Sequence, residues 1–497
     1  MKTLITIIFA KLVKIKNQKW ILNPIQSQDK TFQKLIRTAL RTSFGNEHDF
    51  SEIITYDDFK KKVPVRDYEG FKPYVDKVVN GEKNILWPGK PLYFAKTSGT
   101  TSGAKYIPIT KESIKTHVNS ARDALLNYFL KTKNYKLING KHMFLQGSPV
   151  LSKKNGVFIG RLSGISAHYI PKLFLKNRKP SWETNCIEDW EEKVDKIIKE
   201  TVGEKMTIIA GIPSWVQMYF EKIVLDTQKS ISEVFPNLSL YVYGGVSYEP
   251  YRSTFNKLFG KKIDTLATFP ASEGFFGYQD TFQEGETDLL LLLNNGIFYE
   301  FIKASDFLEG KYARRPLKEV ELNVNYLLII STSAGLWAYN IGDTVKFTSL
   351  KPYKIIVTGR VKHFLSAFGE HVISEEVENA MKVATNKHGV TIREFTVAPN
   401  INPKNGLPRH EWYIEFETDP ENTKSFASTL EMEMIGQNIY YEDLIKGNII
   451  QQLEVIVVNQ GGFNYYMKLE GRLGGQNKVP RLSNDRQIAD KLNAYNS

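Results

Sequence analysis

A segment rich in hydroxyl-bearing residues, with two glycines and a lysine, has the composition of a phosphate-binding loop. Residues 96–110 read KTSGTTSGAKYIPIT. The glycines let the backbone turn its amides inward, and a concave run of amide and hydroxyl donors suits phosphate oxygens. The predicted donors are Thr97, Ser98, Gly99, Thr100, Thr101, Ser102, Gly103 and Lys105. A plain flexible hairpin is the alternative interpretation.

The spacing of this segment differs from the Walker phosphate loop. That pattern has four residues between its glycines, then Lys and Ser or Thr, and it begins a helix. Here three residues separate Gly99 from Gly103, and Ala104 precedes Lys105. The stretches PLYFA before the segment and YIPI after it predict strands. We therefore predict a strand–loop–strand element.

Further along the chain, apolar runs that end in glycine alternate with helical patterns. The runs are MTIIAG (206–211), LSLYVYGG (238–245) and KIDTLATF (262–269). Strands separated by helices predict an α/β body with a largely parallel sheet. Ligands of such sheets bind beyond the carboxyl ends of the strands. We expect the loop after Phe94, GGV at 244–246 and FPASE at 269–273 to cluster there.

The helix predicted after the first segment carries an arginine at the edge of its apolar face. This helix spans about 111–130 and is expected to bury Ile114, Val118, Ala121 and Leu125. Arg122 lies one turn from both Val118 and Leu125, a position from which a guanidinium can enter a cleft and bind a carboxylate. The alternative is a surface arginine whose stem covers apolar residues.

The sequence pattern changes near residue 360. ISEEVENAMKVATNKHG predicts one helix, and REFTVAPN, HEWYIEFET and QQLEVIVVN alternate like antiparallel strands. These elements predict a small α+β domain. We predict a large N-terminal domain over residues 1–358 and a small mobile C-terminal lid domain over 359–497.

Composition and charge indicate a globular protein in a reducing compartment. The chain has 497 residues, of which 42% are hydrophobic and 24% are charged, and its net charge is +12. The basic residues form no run of five or six, and no zinc-finger spacing is present, so we expect no nucleic-acid partner. Cys186 is the only cysteine, which excludes an intrachain disulfide. The sequence gives no indication of the oligomeric state.

The N-terminal residues MKTLITIIFAKLVKIKNQKW predict an amphipathic helix. Ile5, Ile8, Phe9 and Leu12 share one face, which we expect to pack on the body of the protein. The apolar run is too short for a membrane span, and lysines stand where a signal-peptide cleavage site would lie. We expect a cytoplasmic protein, with weak attachment of this helix to a membrane surface as the alternative.

Four motifs appear in a specific order: TSGTTSGAK, FPASE, YNIGDTV and GGQNKVPR. Together with GRVKHFLSAFGEHVISEEVE they resemble the Gretchen Hagen family of auxin-responsive acyl-acid amido synthetases, within the adenylate-forming ligases. The resemblance extends over nearly the whole chain. It implies a two-step reaction in which a carboxylic acid attacks the α-phosphate of ATP and an amine, expected to be that of an amino acid, then displaces AMP.

The resemblance also implies roles for individual residues, with ATP and Mg²⁺ as cofactors. The first segment would hold phosphates, Asp343 the ribose, Glu273 the Mg²⁺, and Lys478 the α-phosphate as a catalytic residue, with Arg122 on the acid. The remaining nucleotide contacts would be Gly244, Gly245, Val246, Phe269, Ser272 and Arg360. Taken singly, Asp343 is more typical of a turn, Phe269 of a core, and Lys478 of an exposed loop.

The motifs depart from the family pattern at three places. Phe269 stands where tyrosine is usual, Pro270 and Ala271 replace Ala and Ser, and Asn340 stands where arginine is common. These changes affect the fine geometry of nucleotide binding. Two alternative functions remain open: an acyl-CoA synthetase that shares the adenylation step, and a non-catalytic ATP-binding module.

Overall fold

A computed structural model of the chain describes residues 2–497 except 101–102, 246–247, 249–250, 284–286, 361–364, 366, 369, 371, 448, 474–477 and 484. The chain forms two compact units. The first comprises Met1–Ile212, Ser232–Gly245 and Ile263–Ile356, and the second comprises Pro213–Ile231, Val246–Lys262 and Val357–Ser497. The domain boundary predicted between residues 358 and 359 is close to the last of these transitions and stays a prediction.

The helices are α1 (Lys2–Leu22), α2 (Pro24–Ala39), α3 (Ser43–Glu47), α4 (Tyr56–Lys62), α5 (Tyr68–Val79), α6 (Lys111–Thr132), α7 (Leu162–Ala167), α8 (Lys172–Leu175), α9 (Trp182–Asn185), α10 (Trp190–Thr201), α11 (Pro213–Thr227), α12 (Ile231–Val234), α13 (Arg252–Phe259), α14 (Ala304–Leu308), α15 (Ser374–His388), α16 (Thr423–Gln437), α17 (Ile439–Lys446), α18 (Gly462–Leu469) and α19 (Gln487–Asn496). In the described part of the chain, short 3₁₀ helices span Phe50–Glu52, Tyr135–Asn139 and Leu317–Glu319.

The strands are β1 (Tyr93–Thr100), β2 (Gly103–Ile109), β3 (Lys141–Phe144), β4 (Ser152–Lys154), β5 (Val157–Gly160), β6 (Arg178–Lys179), β7 (Met206–Ala210), β8 (Leu240–Gly244), β9 (Asp264–Pro270), β10 (Phe275–Gln279), β11 (Leu289–Leu291), β12 (Ile297–Lys303), β13 (Arg315–Pro316), β14 (Asn325–Thr332), β15 (Tyr339–Leu350), β16 (Tyr353–Arg360), β17 (Thr391–Asn400), β18 (Arg409–Thr418) and β19 (Glu454–Val457).

A twelve-stranded sheet forms the centre of the first unit, in the order β13-β12-β14-β15-β16-β11-β10-β9-β8-β7-β3-β6. Strands β6, β3, β7, β8 and β9 run parallel, and the apolar runs of β7, β8 and β9 are typical of strands covered on both faces. Across four of them, Phe144, Ala210, Val242 and Leu266 lie in register. The predicted parallel sheet therefore forms one half of a mixed sheet.

The other half of this sheet is antiparallel, as in the long pair β12–β14. A second, four-stranded sheet has the order β2-β1-β5-β4, in which β1 pairs parallel with β5. The strands of both halves carry buried aliphatic and aromatic side chains, and β12 and β14 are buried along nearly their full length. The α/β architecture predicted for this part of the chain is confirmed.

The N-terminal helix α1 is present, but the predicted buried face is wrong. Ile5, Ile8, Phe9 and Leu12 are exposed. The helix instead packs through Ala10 and Val13 on Leu126 and Leu130 of α6. Apolar residues occur on more than one side of α1, so the periodicity alone does not select the side that meets α6. Within the described residues, no helix has the length and apolarity needed to cross a membrane.

Helix α6 also presents a different face to the core from the one predicted. Ile114 is buried as expected, whereas Val118 and Leu125 are half-buried and Ala121 is exposed. The buried row follows polar positions that a hydrophobic pattern overlooks: Ser113, His117, Ser120, Ala124 and Tyr128. Small and hydroxyl-bearing side chains allow close packing against the sheet, and this packing decides the orientation of α6.

The second unit contains a three-stranded sheet of order β17-β18-β19 packed by α15 and α16. Helix α15 ends at Gly389 with a positive φ of 64°, as the sequence predicts. Strands β17 and β18 are antiparallel, as expected. The antiparallel expectation is wrong for β19, which pairs parallel with β18, because α16 and α17 carry the chain back across the sheet.

Candidate active site

The predicted phosphate-binding segment is a β-hairpin. Strands β1 and β2 pair antiparallel, with Thr97 opposite Lys105 and Thr100 opposite Gly103. Ser98, Gly99 and Thr100 therefore belong to β1 rather than to an open loop, and only Thr101 and Ser102 lie between the strands, outside the described residues. Backbone pairing therefore extends to Thr100 of β1, with a register shift between Thr97 and Thr100.

The base of the hairpin is fixed by buried contacts. Ile107 and Ile109 are fully buried, and the Thr110 side chain caps α6 by accepting from the Ser113 amide at 3.1 Å. The Thr110 hydroxyl also donates to the Ser333 carbonyl at 2.8 Å. Also on β2, the Lys105 ammonium lies 5.4 Å from the centre of the Tyr68 ring. These contacts hold the hairpin to the strands behind it.

The two glycines after β8 occupy positions that demand glycine. Gly244 pairs with Thr268 of β9, and a Cβ atom at Gly244 would stand 2.6 Å from the Thr268 carbonyl oxygen. Gly245 has a φ of 85°, which other residues adopt only with strain. Val246, the third residue predicted to contact adenine, lies outside the described residues. At the carboxyl end of β8, Gly244 therefore allows close packing against β9, and Gly245 allows the chain to turn.

Strand β9 continues into a tight turn that presents Ser272 and Glu273. The Ala271 amide donates to the Gly274 carbonyl at 2.8 Å, and the Gly274 amide donates back to the Ala271 carbonyl at 3.2 Å. Ser272 and Glu273 are half-buried at the tip of this turn. Because β8 and β9 are parallel neighbours, the two glycines and this turn lie at the same edge of the sheet.

Phe269, predicted to stack on adenine, has most of its surface in the core. Its ring meets the edge of Phe276 with a centroid distance of 4.9 Å. Phe269 stands opposite Gly277 of β10 in the antiparallel register. Because glycine has no side chain, β10 places no side chain directly opposite Phe269. The stacking role of Phe269 stays a prediction.

Asp343 lies in a bulge of β15. Ile329 pairs with Asn340 and Leu327 with Thr344, so three residues of β15 oppose Leu328. Gly342 has a φ of 86°, and its amide donates to the Asn340 side-chain oxygen at 2.8 Å. Asn340, which replaces a common arginine, therefore stabilises the bulge. Asp343 is 7% exposed, and the bulge re-aims its side chain relative to the regular strand.

Arg122 contacts the N-terminal helix. Its guanidinium forms an ion pair with the neighbouring Asp123 at 2.6 Å and lies 5.1 Å from the centre of the Phe9 ring. The side chain is 37% exposed. These partners are those of a surface arginine, the alternative that the sequence left open. Its carboxylate-binding role stays a prediction.

In the second unit, Arg360 ends β16 and Lys478 is exposed in the segment before Val479. The sequence analysis missed Arg481, three residues beyond Lys478. Thr396 donates to the Pro480 carbonyl at 2.7 Å, and the Val397 amide donates to the Arg481 carbonyl at 2.9 Å. The segment that carries Lys478 is therefore tied to β17.

Arg481 is a buried cation surrounded by acids. Its guanidinium pairs with Glu394, lies 3.4 Å from Glu378 and donates to the Tyr251 hydroxyl at 3.1 Å. Burial opposes the charged form, but Glu394, Tyr251 and Glu378 together raise the pKa of Arg481 above its usual value. One sequence feature indicates this role: a single arginine, Arg481, follows the proline of the GGQNKVPR motif.

His117 is a second residue that the sequence analysis did not single out. It lies on the buried face of α6, and its Nδ1 atom has no hydrogen-bond partner among the described residues. Burial lowers the pKa of His117 to about 4, so the imidazole is neutral at pH 7.

Three models of one family match the sequence. The GH3 family N-terminal domain matches residues 15–178, the central domain residues 290–360, and the C-terminal domain residues 375–487. The chain belongs to the GH3 family. The matched ranges include the hairpin, the bulge with Asp343 and the segment with Lys478, and the resemblance deduced from the motifs is confirmed.

Curated relatives from plants align with nearly the whole chain. A jasmonoyl–L-amino acid synthetase of Nicotiana attenuata is 22% identical, over 91% of this chain and 90% of the relative. An indole-3-acetic acid-amido synthetase of Arabidopsis thaliana is also 22% identical, over 97% of this chain and 93% of the relative. This GH3 protein thus spans about the full length of both relatives.

Solved structures show the same fold. An acyl acid amido synthetase of the GH3 family superposes with a TM-score of 0.80 at 16% identity, over 98% of this chain and 95% of that chain. A 2-hydroxyisobutyryl-CoA ligase superposes with a TM-score of 0.60 at 11% identity, over 94% and 90%. The predicted fold class is confirmed.

The donor set of this GH3 protein suits a nucleotide-bound Mg²⁺ better than a protein-enclosed metal. No group of three or more His, Cys, Asp or Glu side chains that would hold a metal occurs in the described part of the chain. Mg²⁺ commonly takes one or two carboxylates together with phosphate oxygens and water. Glu273, at the tip of an open turn beside the strand ends, fits that arrangement.

Proposed function

We propose that the protein is an ATP-dependent acyl-acid amido synthetase. In the first step a carboxylate oxygen attacks the α-phosphorus of ATP, and the bond to pyrophosphate breaks. In the second step an amine nitrogen attacks the acyl carbon, AMP leaves with the bond electrons, and the amine loses a proton. Membership of the GH3 family and the names of the plant relatives support this reaction.

The observation that carries the proposal is the arrangement at the carboxyl ends of β8 and β9. Gly244 and Gly245 and the turn with Ser272 and Glu273 lie at one edge of parallel strands. This edge is where α/β sheets bind ligands. No side chain is required as a nucleophile, because binding two anions in line supplies most of the rate enhancement.

Each residue of the site has a proposed role in that arrangement. The hairpin from Thr97 to Lys105 holds phosphates, Asp343 accepts hydrogen bonds from the ribose hydroxyls, and Lys478 stabilises charge on the α-phosphate. Arg360 contacts the nucleotide, and Arg122 binds the acid after exchanging its Asp123 partner. Mg²⁺, when bound near Glu273, neutralises part of the phosphate charge. We place this chemistry in the cytoplasm.

An acyl-CoA synthetase is the second candidate. The fold likeness to a 2-hydroxyisobutyryl-CoA ligase favours it, because that ligase and the amido synthetases share one architecture. The two candidates share adenylation and differ in the acceptor.

One experiment separates these candidates. Purified protein is incubated with ATP, Mg²⁺ and a panel of carboxylic acids, and pyrophosphate release is measured. Acids that respond are then offered amino acids or CoA, and products are identified by mass. We expect amides. A thioester would favour the second candidate, and no pyrophosphate with any acid would contradict both.

Asp343→Asn is the control for the nucleotide site. Loss of a hydrogen bond to a charged group costs about 1.5–3 kcal/mol, so ATP should bind roughly 10- to 100-fold more weakly. Unchanged ATP affinity, measured by titration calorimetry, would remove the ribose role of Asp343.

A further inference from the structure

Three cationic side chains of the first unit lie within residues 145–193: Lys193 is buried, and Arg161 and Arg178 are half-buried. Lys193 is 2% exposed, and its ammonium donates to the Gln146 carbonyl at 3.1 Å and to the Asn185 carbonyl at 2.7 Å. Arg178 donates to the Ala167 carbonyl at 3.4 Å. Arg161 lies beside Gly147, where its Cδ atom would be 3.0 Å from an added Cβ.

These cations have no carboxylate partner. Within the described part of the chain, none of Arg161, Arg178 and Lys193 forms an ion pair within 4.0 Å. Burial lowers the pKa of Lys193 to about 8, Cys186 opposes the shift, and Arg161 and Arg178 add to it. Burial also lowers the pKa of both arginines, and the exposed Glu188 only partly offsets the shift at Arg161. Cations without acids are normally kept out of protein interiors.

Unpaired polar atoms surround the same cations. Asn185 is 0% exposed, and neither atom of its side-chain amide has a hydrogen-bond partner. The same holds, among described residues, for Gln146 Nε2, Ser163 Oγ and two guanidinium nitrogens of Arg178. More than nine in ten buried polar groups are normally paired, so this concentration is exceptional. Nearly all of these atoms are donors, which an anion satisfies.

The cluster lies at the edge of the sheet that carries the candidate nucleotide residues. Phe144 of β3 is in register with Val242 of β8, so Gln146 stands at the level of Gly244. Two strand spacings separate β3 from β8, which is about 10 Å. Arg161 follows β5, which runs parallel to β1 and ends opposite Ala95, just before the phosphate hairpin. The cluster therefore lies near the carboxyl ends of β3 and β5.

A cleft of about 350 Å³ lies beside the cluster, and Cys186, the neighbour of Asn185, lines it. Its lining includes Tyr93, Phe158, His168, Trp182 and Cys186. The Arg178 guanidinium lies 5.4 Å from the centre of the Trp182 ring, at the border between the cleft and the cations. An apolar wall beside a cationic end suits an organic anion.

We propose that Gln146, Arg161, Ser163, Arg178, Asn185 and Lys193 form a carboxylate-binding subsite that takes a second carboxylate, one that does not react. The inference rests on the proposed function. Planar guanidinium and amide groups match the paired oxygens of a carboxylate. Two sources fit this chemistry: the far carboxylate of a dicarboxylic acid, or the carboxylate of the amino acid acceptor.

Two variants and one control test the subsite. Lys193→Gln removes a cation, and Asn185→Asp keeps the side-chain shape while placing a competing carboxylate among the cations. Lys141→Gln is the matched control, because Lys141 lies at the opposite end of β3 and donates to the Lys176 carbonyl. Each variant is first checked for folding by circular dichroism.

Kinetic measurements distinguish whether the acid substrate or the amino acid provides the second carboxylate. If the acid provides the carboxylate, KM for adipate in ATP–pyrophosphate exchange rises at least tenfold in both variants, while KM for hexanoate is unchanged. If the amino acid provides it, KM for alanine rises at least tenfold in amide formation, while alaninamide and the exchange reaction are unaffected. The control variant shows neither effect.

A binding measurement tests the subsite even if the protein forms no acyl-adenylate with any acid. Adipate and L-glutamate are titrated calorimetrically into nucleotide-free wild type and Asn185→Asp. Binding that the variant loses supports the subsite even if the proposed reaction fails. Folded variants with unchanged affinity and unchanged KM for every dicarboxylate and amino acid would overturn it, as would equal loss for charged and neutral substrates.

Discussion

Arg481 in the second unit and Lys193 in the first are both buried cations, and they differ in what surrounds them. Arg481 has Glu394 and Glu378 as acid partners, and its pKa is raised. Lys193 has backbone carbonyls and further cations, and its pKa is lowered to about 8. One arrangement is complete within the chain, whereas the other lacks an anion.

The comparison separates two uses of buried charge. A cation that forms ion pairs with two acids stabilises a local structure, here the segment that carries Lys478. A cation without an acid carries a desolvation cost that only a ligand offsets. The balance of charge around a buried side chain therefore indicates whether it serves folding or binding.

The largest expected effect comes from breaking the complete arrangement. Arg481→Met leaves Glu394 buried without its cation, so the free energy of unfolding should fall by about 3–5 kcal/mol. Urea denaturation followed by fluorescence measures it. Lys446→Met, which removes an exposed partner of Glu442, should cause no measurable change. Equal effects in both variants would contradict the anchoring role.

Lys478→Ala sharpens the contrast with Arg481, because Lys478 is exposed and only three residues away. Loss of one group that stabilises transition-state charge costs about 10²–10³ in rate. We expect pyrophosphate release to fall by this factor while the urea midpoint stays at the wild-type value. Unchanged pyrophosphate release would exclude the catalytic role of Lys478.

Asn185→Asp supplies the anion that the Lys193 cluster lacks. A charge-assisted hydrogen bond to a cation contributes about 2 kcal/mol, so the variant should be more stable than wild type at pH 7. Urea denaturation at pH 7 gives the answer. A destabilised variant would mean that the cluster does not accommodate a carboxylate.

The smallest effect is the pH dependence of Lys193. Its pKa is about 8 in the folded chain and about 10.4 when unfolded, so the unfolded state binds more protons between these values. Below pH 8 the buried charge lowers the free energy of unfolding. As the pH rises from 8 to about 10.4, Lys193 loses its proton in the folded state, and the free energy of unfolding increases by at most about 1.4 kcal/mol per pH unit. Wild type should therefore gain about 1.8 kcal/mol over Lys193→Met between pH 7.5 and 9.5. A constant difference would show that burial does not lower the pKa of Lys193 into this range.

The local elements of this protein were predictable from short-range patterns. Strands β7, β8 and β9 follow from apolar runs that end in glycine or a turn, and α15 from its cap at Gly389, because these signals act within a few residues. The family and the fold class followed from the order of four motifs. The roles assigned to Glu273, Asp343 and Lys478 stay predictions.

Other features depended on contacts between distant segments. The buried faces of α1 and α6, and the parallel direction of β19, were predicted wrongly because hydrophobic periodicity does not identify the partner surface.

By itself, the sequence determined which segments become strands and helices and where glycines must stand, since backbone conformation and apolar spacing are local properties. The tertiary structure alone decided which charges are buried together. Gln146, Arg161, Arg178, Asn185 and Lys193 are spread over some fifty residues and share no motif. Their electrostatic energy depends on the separation of the groups and the exclusion of water, and both exist only once the strands and helices have packed.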